Sequence, residues 1–208
     1  MPKVVDHDER REELLEAVWR VLARDGLHGT TIRSIADETG WSAGVLAHYF
    51  TDKEDILVSA LRLSHTRIVG RWEEKLEGLK GLAALRELVL DNLPLDDERE
   101  LETRLQLVYW DRAVASKEVR GAVWRHGPTL LARLEKLVAE AQELGEISSG
   151  EASEDVAERL WALIDGYSLR ALLEPKRVTR SRLAALIEKE FERMTTHSTE
   201  VGSNVEHV

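Results

Sequence analysis

The sequence predicts an all-α protein: an N-terminal three-helix helix-turn-helix domain followed by a larger helical domain. Three observations carry this. Leu, Ala, Glu and Arg dominate, with only four prolines among 208 residues, a composition that favours helices. Apolar residues recur at i, i+3 and i+4 along nearly the whole chain, and no useful run alternates in the manner of a strand. Glycines and prolines fall between these periodic stretches, where helices stop.

The first helix is expected over about 8–25. Leu14, Leu15, Val18, Val21 and Leu22 line one face, Gly26 ends it, and its acidic first turn suits the helix dipole. Thr31 is placed to cap a second helix, IRSIADET, with Ile32, Ile35 and Ala36 inward and Gly40 at its end. Ser42 caps a short third helix, AGVLAHYF, with Leu46 and Phe50 inward. Asp52 caps a fourth, which starts at Lys53 and runs to about Leu76. Further helices are expected over about 81–93, 97–115, 117–144 (kinked or split at Gly127-Pro128), 153–173 and 179–194. The domains are therefore 1–55 and 56–195, and the polar, aperiodic residues 196–208 read as a disordered tail.

Composition excludes several classes. There is no cysteine, hence no disulfide scaffold, no thiol catalysis and no cysteine-bound zinc. The seven histidines show no metal-ligand pairing. No catalytic constellation can be read, and no cofactor is expected. Without a signal-like or membrane-length apolar run, a cytosolic protein is the simplest reading. Net charge is −10, and residues 1–55 carry seven Lys/Arg against twelve Asp/Glu. Bulk electrostatics cannot hold nucleic acid here, so any DNA contact must be local and geometric.

Two short helices joined by a tight glycine turn form the unit that sets one helix in the major groove of double-stranded DNA. The exposed face of the third helix would carry Ala43, Gly44, Ala47, His48 and Tyr49. Small residues there let the backbone approach the bases. Thr31, Ser42 and the free N–H groups behind them can meet phosphates.

The stretch TTIRSIADETGWSAGVLAHYFTDKEDIL closely resembles the DNA-binding domain of TetR-type regulators. It shares the Thr-Thr pair, Ile35-Ala36, Gly40, Ser42, Gly44, Leu46, His48-Tyr49-Phe50 and Lys53. A second stretch, ALIDGYSLRALLEP, resembles the penultimate helix of the choline-repressor (BetI) type. The resemblance implies that Arg33 reaches a base or phosphate. It makes Thr31, Ser42, Tyr49 and Lys53 phosphate contacts, and sets Gly44 and His48 toward the groove. Ala47 departs from the tyrosine common there, so one contact is lost. Trp41 replaces a small aliphatic residue and reads as packing.

In the larger domain, Trp110, Trp124 and Trp161 are candidates to line a small-molecule pocket. Asp111 adjoins Trp110, and Asp165 lies one turn after Trp161. An acid beside an indole would suit a cationic effector. The 153–173 helix is apolar nearly all round and must be buried on two sides. Leu160, Ile164 and Tyr167, with Leu183, Leu186, Ile187 and Phe191 of the last helix, are expected to form a homodimer's four-helix interface.

The function expected is a sequence-specific regulator on a near-palindromic operator, a repressor released by its effector. An activator or co-repressed regulator of the same fold stays open. So does a helical small-molecule binder without DNA function.

Overall fold

The computed structural model describes residues 7–115 and 128–202. Among them the helices are α1 (His7–Gly29), α2 (Ile32–Thr39), α3 (Ala43–Leu46), α4 (Lys53–Leu76), α5 (Gly81–Asp91), α6 (Asp97–Ala115), α7 (Pro128–Glu143), α8 (Ser153–Leu173) and α9 (Arg180–Gly202). No strand occurs among the described residues. No helix among them is long and apolar enough to cross a membrane.

The chain forms two compact units, Met1–Val69 and Gly70–Val208. The border falls inside α4, later than the 55/56 division the sequence suggested. The reason is packing between α1 and the first part of α4. Arg67 pairs with Glu16 and stacks over Trp19 at 5.2 Å. Arg11 donates to Ser59 Oγ at 3.0 Å, and Ile56 and Ala60 are buried.

In the first unit α1 breaks at Gly26 (φ 66°), the residue expected to end it. The left-handed backbone there favours glycine. Leu14, Val18, Val21, Ile35, Leu46 and Phe50 form the core, each side chain contributing roughly 1.5–3 kcal/mol. Two arginines of α1, Arg20 and Arg24, reach Glu38 of α2 at 2.8 and 2.7 Å.

In the second unit α7 packs against α5 and α8, α6 against α8, and α9 against both α5 and α8. Leu85, Leu88, Leu134, Val138, Leu160, Leu183 and Ile187 fill the centre. The first N–H groups of α5 are capped from a distance. Gly81 N donates to Glu140 Oε2 at 3.0 Å and Leu82 N to Glu146 Oε2 at 2.7 Å. Lys80, at the N-cap, supplies no side-chain bond.

Two helix ends differ from expectation. Regular α3 stops at Leu46, but His48 and Tyr49 donate to Val45 and Leu46 carbonyls, a tightened last turn that still buries Phe50. The last helix continues to Gly202 because neither glycine nor proline interrupts it after Met194. Residues 203–208 of the expected tail lie outside the described residues.

The expected dimer residues need a larger correction. Leu160, Ile164, Leu183, Ile187 and Phe191 are buried within the single chain and present no surface to a partner. They are core because α8 and α9 use those stripes to pack against each other and on α5–α7. Tyr167 and Leu186 keep partial exposure.

Candidate nucleic-acid interface

Local sequence builds the helix-turn-helix. Thr31 Oγ accepts from Ser34 N at 3.0 Å while Ser34 Oγ accepts from Thr31 N at 2.8 Å, a reciprocal cap at the start of α2. Gly40 closes α2 in the left-handed conformation (φ 70°). Ser42 Oγ accepts from Val45 N at 3.3 Å and starts α3. Asp52 Oδ1 accepts from Asp55 N at 2.9 Å and starts α4.

Around these caps most of the expected DNA-contact residues are exposed. Thr31, Arg33, Ser42, Ala43, Gly44, Ala47 and His48 are all exposed. Leu46 and Phe50 point into the core between them. A Cβ added at Gly44 would meet only Ser42 Oγ, at 3.8 Å, so no other described residue covers this spot. Tyr49 is half-buried, and its carbonyl accepts from Arg11 Nη1 at 3.3 Å. The structure gives the backbone of Lys53, at the head of α4, but its side chain lies outside the described residues.

Trp41 packs between two partners. Its ring sits 5.8 Å from that of Tyr49, tilted by 51°, and Arg10 of α1 stacks over it at 5.8 Å. Sequence reasoning missed this stack. Its signal is faint, since the partners are separated by a whole helix.

The candidate effector residues divide. Trp110 of α6 and Trp161 and Asp165 of α8 are half-buried. Asp111 is exposed: neighbours in a helix diverge by about 100°, so it cannot share the face of Trp110. Trp124 lies outside the described residues. Burial pushes the Asp165 carboxyl up to about 7, and it has no hydrogen-bond or ionic partner among the described residues. Three residues on, the buried Ser168 hydroxyl also lacks a partner, as does the buried indole N–H of Trp72. Buried polar atoms are nearly always satisfied, so such gaps require an explanation. No group of residues that could hold a metal ion occurs among the described residues.

Comparison with known proteins now decides the family. Residues 14–60 match the family described as bacterial regulatory proteins, tetR family. Residues 82–196 match that described as BetI-type transcriptional repressor, C-terminal. The chain belongs to the tetR family. It is 30% identical to the HTH-type transcriptional regulator PksA of Bacillus subtilis (strain 168), over 96% of each chain. It is 29% identical to the HTH-type transcriptional regulator BetI of Escherichia coli (strain K12), over 89% of this chain and 94% of the relative. A transcriptional regulator from Saccharomonospora viridis, solved in complex with choline, superposes with a TM-score of 0.83 at 25% identity. That match covers 89% of this chain and 97% of the other. As a tetR-family member, the chain is a helix-turn-helix, DNA-binding, ligand-responsive transcription regulator.

Proposed function

We propose that the chain is a cytoplasmic repressor, without catalytic activity, that holds a near-palindromic operator as a homodimer and leaves it when a small cationic effector binds the second unit. The DNA contacts are Thr31, Arg33, Ser42, Ala43, Gly44, Ala47, His48, Tyr49 and Lys53. Small exposed residues on α3 let the backbone approach base edges, and the capped starts of α2 and α3 turn toward phosphates.

The observation that carries the effector reading is Asp165. A desolvated carboxylate without a partner, one turn from Trp161, is a site for a cation: the indole face attracts it and the carboxylate neutralises it. A choline complex in a 25% identical regulator supports a small quaternary ammonium as the ligand class. Ser168, on the same side of α8 as Asp165, would serve a hydroxyl of the effector.

The dimer is read from surface rather than core. Ala162, Gly166, Leu169 and Leu173 are exposed at i, i+4, i+7 and i+11 on α8, a stripe of small and apolar residues along one face. Two such stripes, with the outer faces of α9, form the interface. It sets the two α3 elements about 34 Å apart, one DNA turn.

Release requires the effector to bind the DNA-incompetent state more tightly. Choline is the probe. Titrated into the protein, it is expected to bind with heat and to lower affinity for DNA from the protein's own upstream region. Asp165→Asn should abolish the response while leaving DNA binding intact. Equal choline binding by wild type and Asp165→Asn would remove the cation site from the account.

A further inference from the structure

The first unit has a charge problem, and the structure shows where its free positive charge lies. Of its arginines, Arg20 and Arg24 are spent on Glu38 and Asp25. Arg11 points inward, to the Tyr49 carbonyl, Ser59 Oγ and the Phe50 ring. Arg67 pairs with Glu16. Arg33, Arg62 and Arg10 are exposed with no acidic partner among the described residues, and of these Arg10 stacks its guanidinium over an aromatic ring, that of Trp41, at 5.8 Å. Trp41 immediately precedes Ser42, the N-cap of α3, and its ring lies 5.8 Å from that of Tyr49, in the turn that follows α3.

We propose that Arg10, carried on the indole of Trp41, grips a phosphodiester of the duplex backbone beside α3. The inference rests on the reading that α3 faces the groove. Stacking fixes the plane of the guanidinium while leaving its N–H fork free, the arrangement in which arginine binds phosphate. Pre-orienting a long side chain lowers the entropy lost on binding. A cation here also offsets what Ala47 lacks. The contact comes from α1 rather than from the helix-turn-helix itself, which is how an acidic domain can hold a polyanion with few charges.

The test is fluorescence anisotropy over a range of salt, with labelled duplexes tiling the protein's own upstream region and one random duplex of equal length. The proposal expects Arg10→Gln to weaken both specific and random binding and to lower the slope of log affinity against log salt by about 0.9 per protomer bound. Arg10→Lys should retain most of the slope. Trp41→Leu, which removes the stacking platform, should lose part of it. Thermal melts of each variant check folding. If Arg10→Gln lowers specific affinity with the slope unchanged, Arg10 only positions Trp41 and Tyr49, and the proposal falls. If Arg10→Gln changes nothing while Arg33→Gln weakens binding, the proposal falls and the groove-facing reading survives. If no duplex gives a salt-sensitive complex with wild type, both fail.

Discussion

Arg71 and Glu102 meet fork to fork: Nη1 donates to Oε1 at 3.0 Å and Nη2 to Oε2 at 2.8 Å. The same guanidinium donates from Nε to Asp91 Oδ2 at 2.8 Å. Lys75 adds a 2.7 Å bond to Asp91. Asp91 and Glu102 are buried, so this cluster pins the last turns of α4 to α5 and α6. Burial raises the Glu102 carboxyl above the usual carboxylate range, while the Arg71 guanidinium works in the opposite sense.

Removing Arg71 leaves the buried Glu102 carboxylate without its cation, while Asp91 keeps Lys75. Arg71→Met is expected to destabilise the second unit by about 3–5 kcal/mol in urea denaturation. Adding Glu102→Gln to Arg71→Met should cost less than the sum of the two single changes, because the stranded charge is gone. Strict additivity would show that the pair is not coupled.

Gly81 is expected to resist substitution. Its φ is +51°, and an added Cβ would lie 2.2 Å from Glu146 Oε2 and 2.8 Å from Leu144 Cδ1. The Glu146 carboxylate that caps Leu82 N would have to move. Gly81→Ala should lower the thermal midpoint, with a cost of about 1–3 kcal/mol. An unchanged midpoint would mean that the cap is dispensable.

The pH dependence of stability has a definite sign at Asp165. Its folded-state value, about 7, lies above its ordinary 3.8. The protonated form therefore favours folding. That contribution is full below about 4 and is lost as pH rises to about 7. Asp165→Asn should flatten this slope and be more stable than wild type above pH 7, as read from melts across that range. A wild-type protein that gains stability between about pH 4 and 7 relative to Asp165→Asn would contradict the assignment.

The sequence exposes what is local. Thr31, Ser42 and Asp52 each bond to the backbone three residues on, and Gly40 and Gly26 hold left-handed φ, so their spacing alone marks the helix ends. It hides what depends on distant partners. A helix apolar all round, such as α8, does not say which side is core, and that is why Leu160 and Ile164 look like interface when Leu169 and Leu173 are the exposed ones. Arg71 meets Asp91 and Glu102 across 20 and 31 residues, and nothing in the run of charges singles them out. The exposure of Ala43, Gly44, Ala47 and His48 was legible because caps and turns fix it. The Arg10–Trp41 stack was not, because it joins two helices.

Thr31→Ala removes half of the reciprocal cap on α2 and should cost about 1 kcal/mol of stability. It should also weaken DNA binding beyond what that loss explains. Comparison with Ser34→Ala, which breaks the other half of the same cap, separates the two effects. If both variants bind DNA equally well per folded molecule, Thr31 is a cap and nothing more.

The most direct test of the account is Gly44→Leu. The site has open space on the protein side, with only Ser42 Oγ within reach of a Cβ, so the variant should melt like wild type. Its bulk would stand where α3 approaches the bases. The account expects anisotropy with DNA from the protein's own upstream region to show a loss of at least about tenfold in affinity, since displaced base contacts are worth about 1–3 kcal/mol each. A folded Gly44→Leu protein that binds that DNA as tightly as wild type would contradict the assignment of α3 as the groove-facing element.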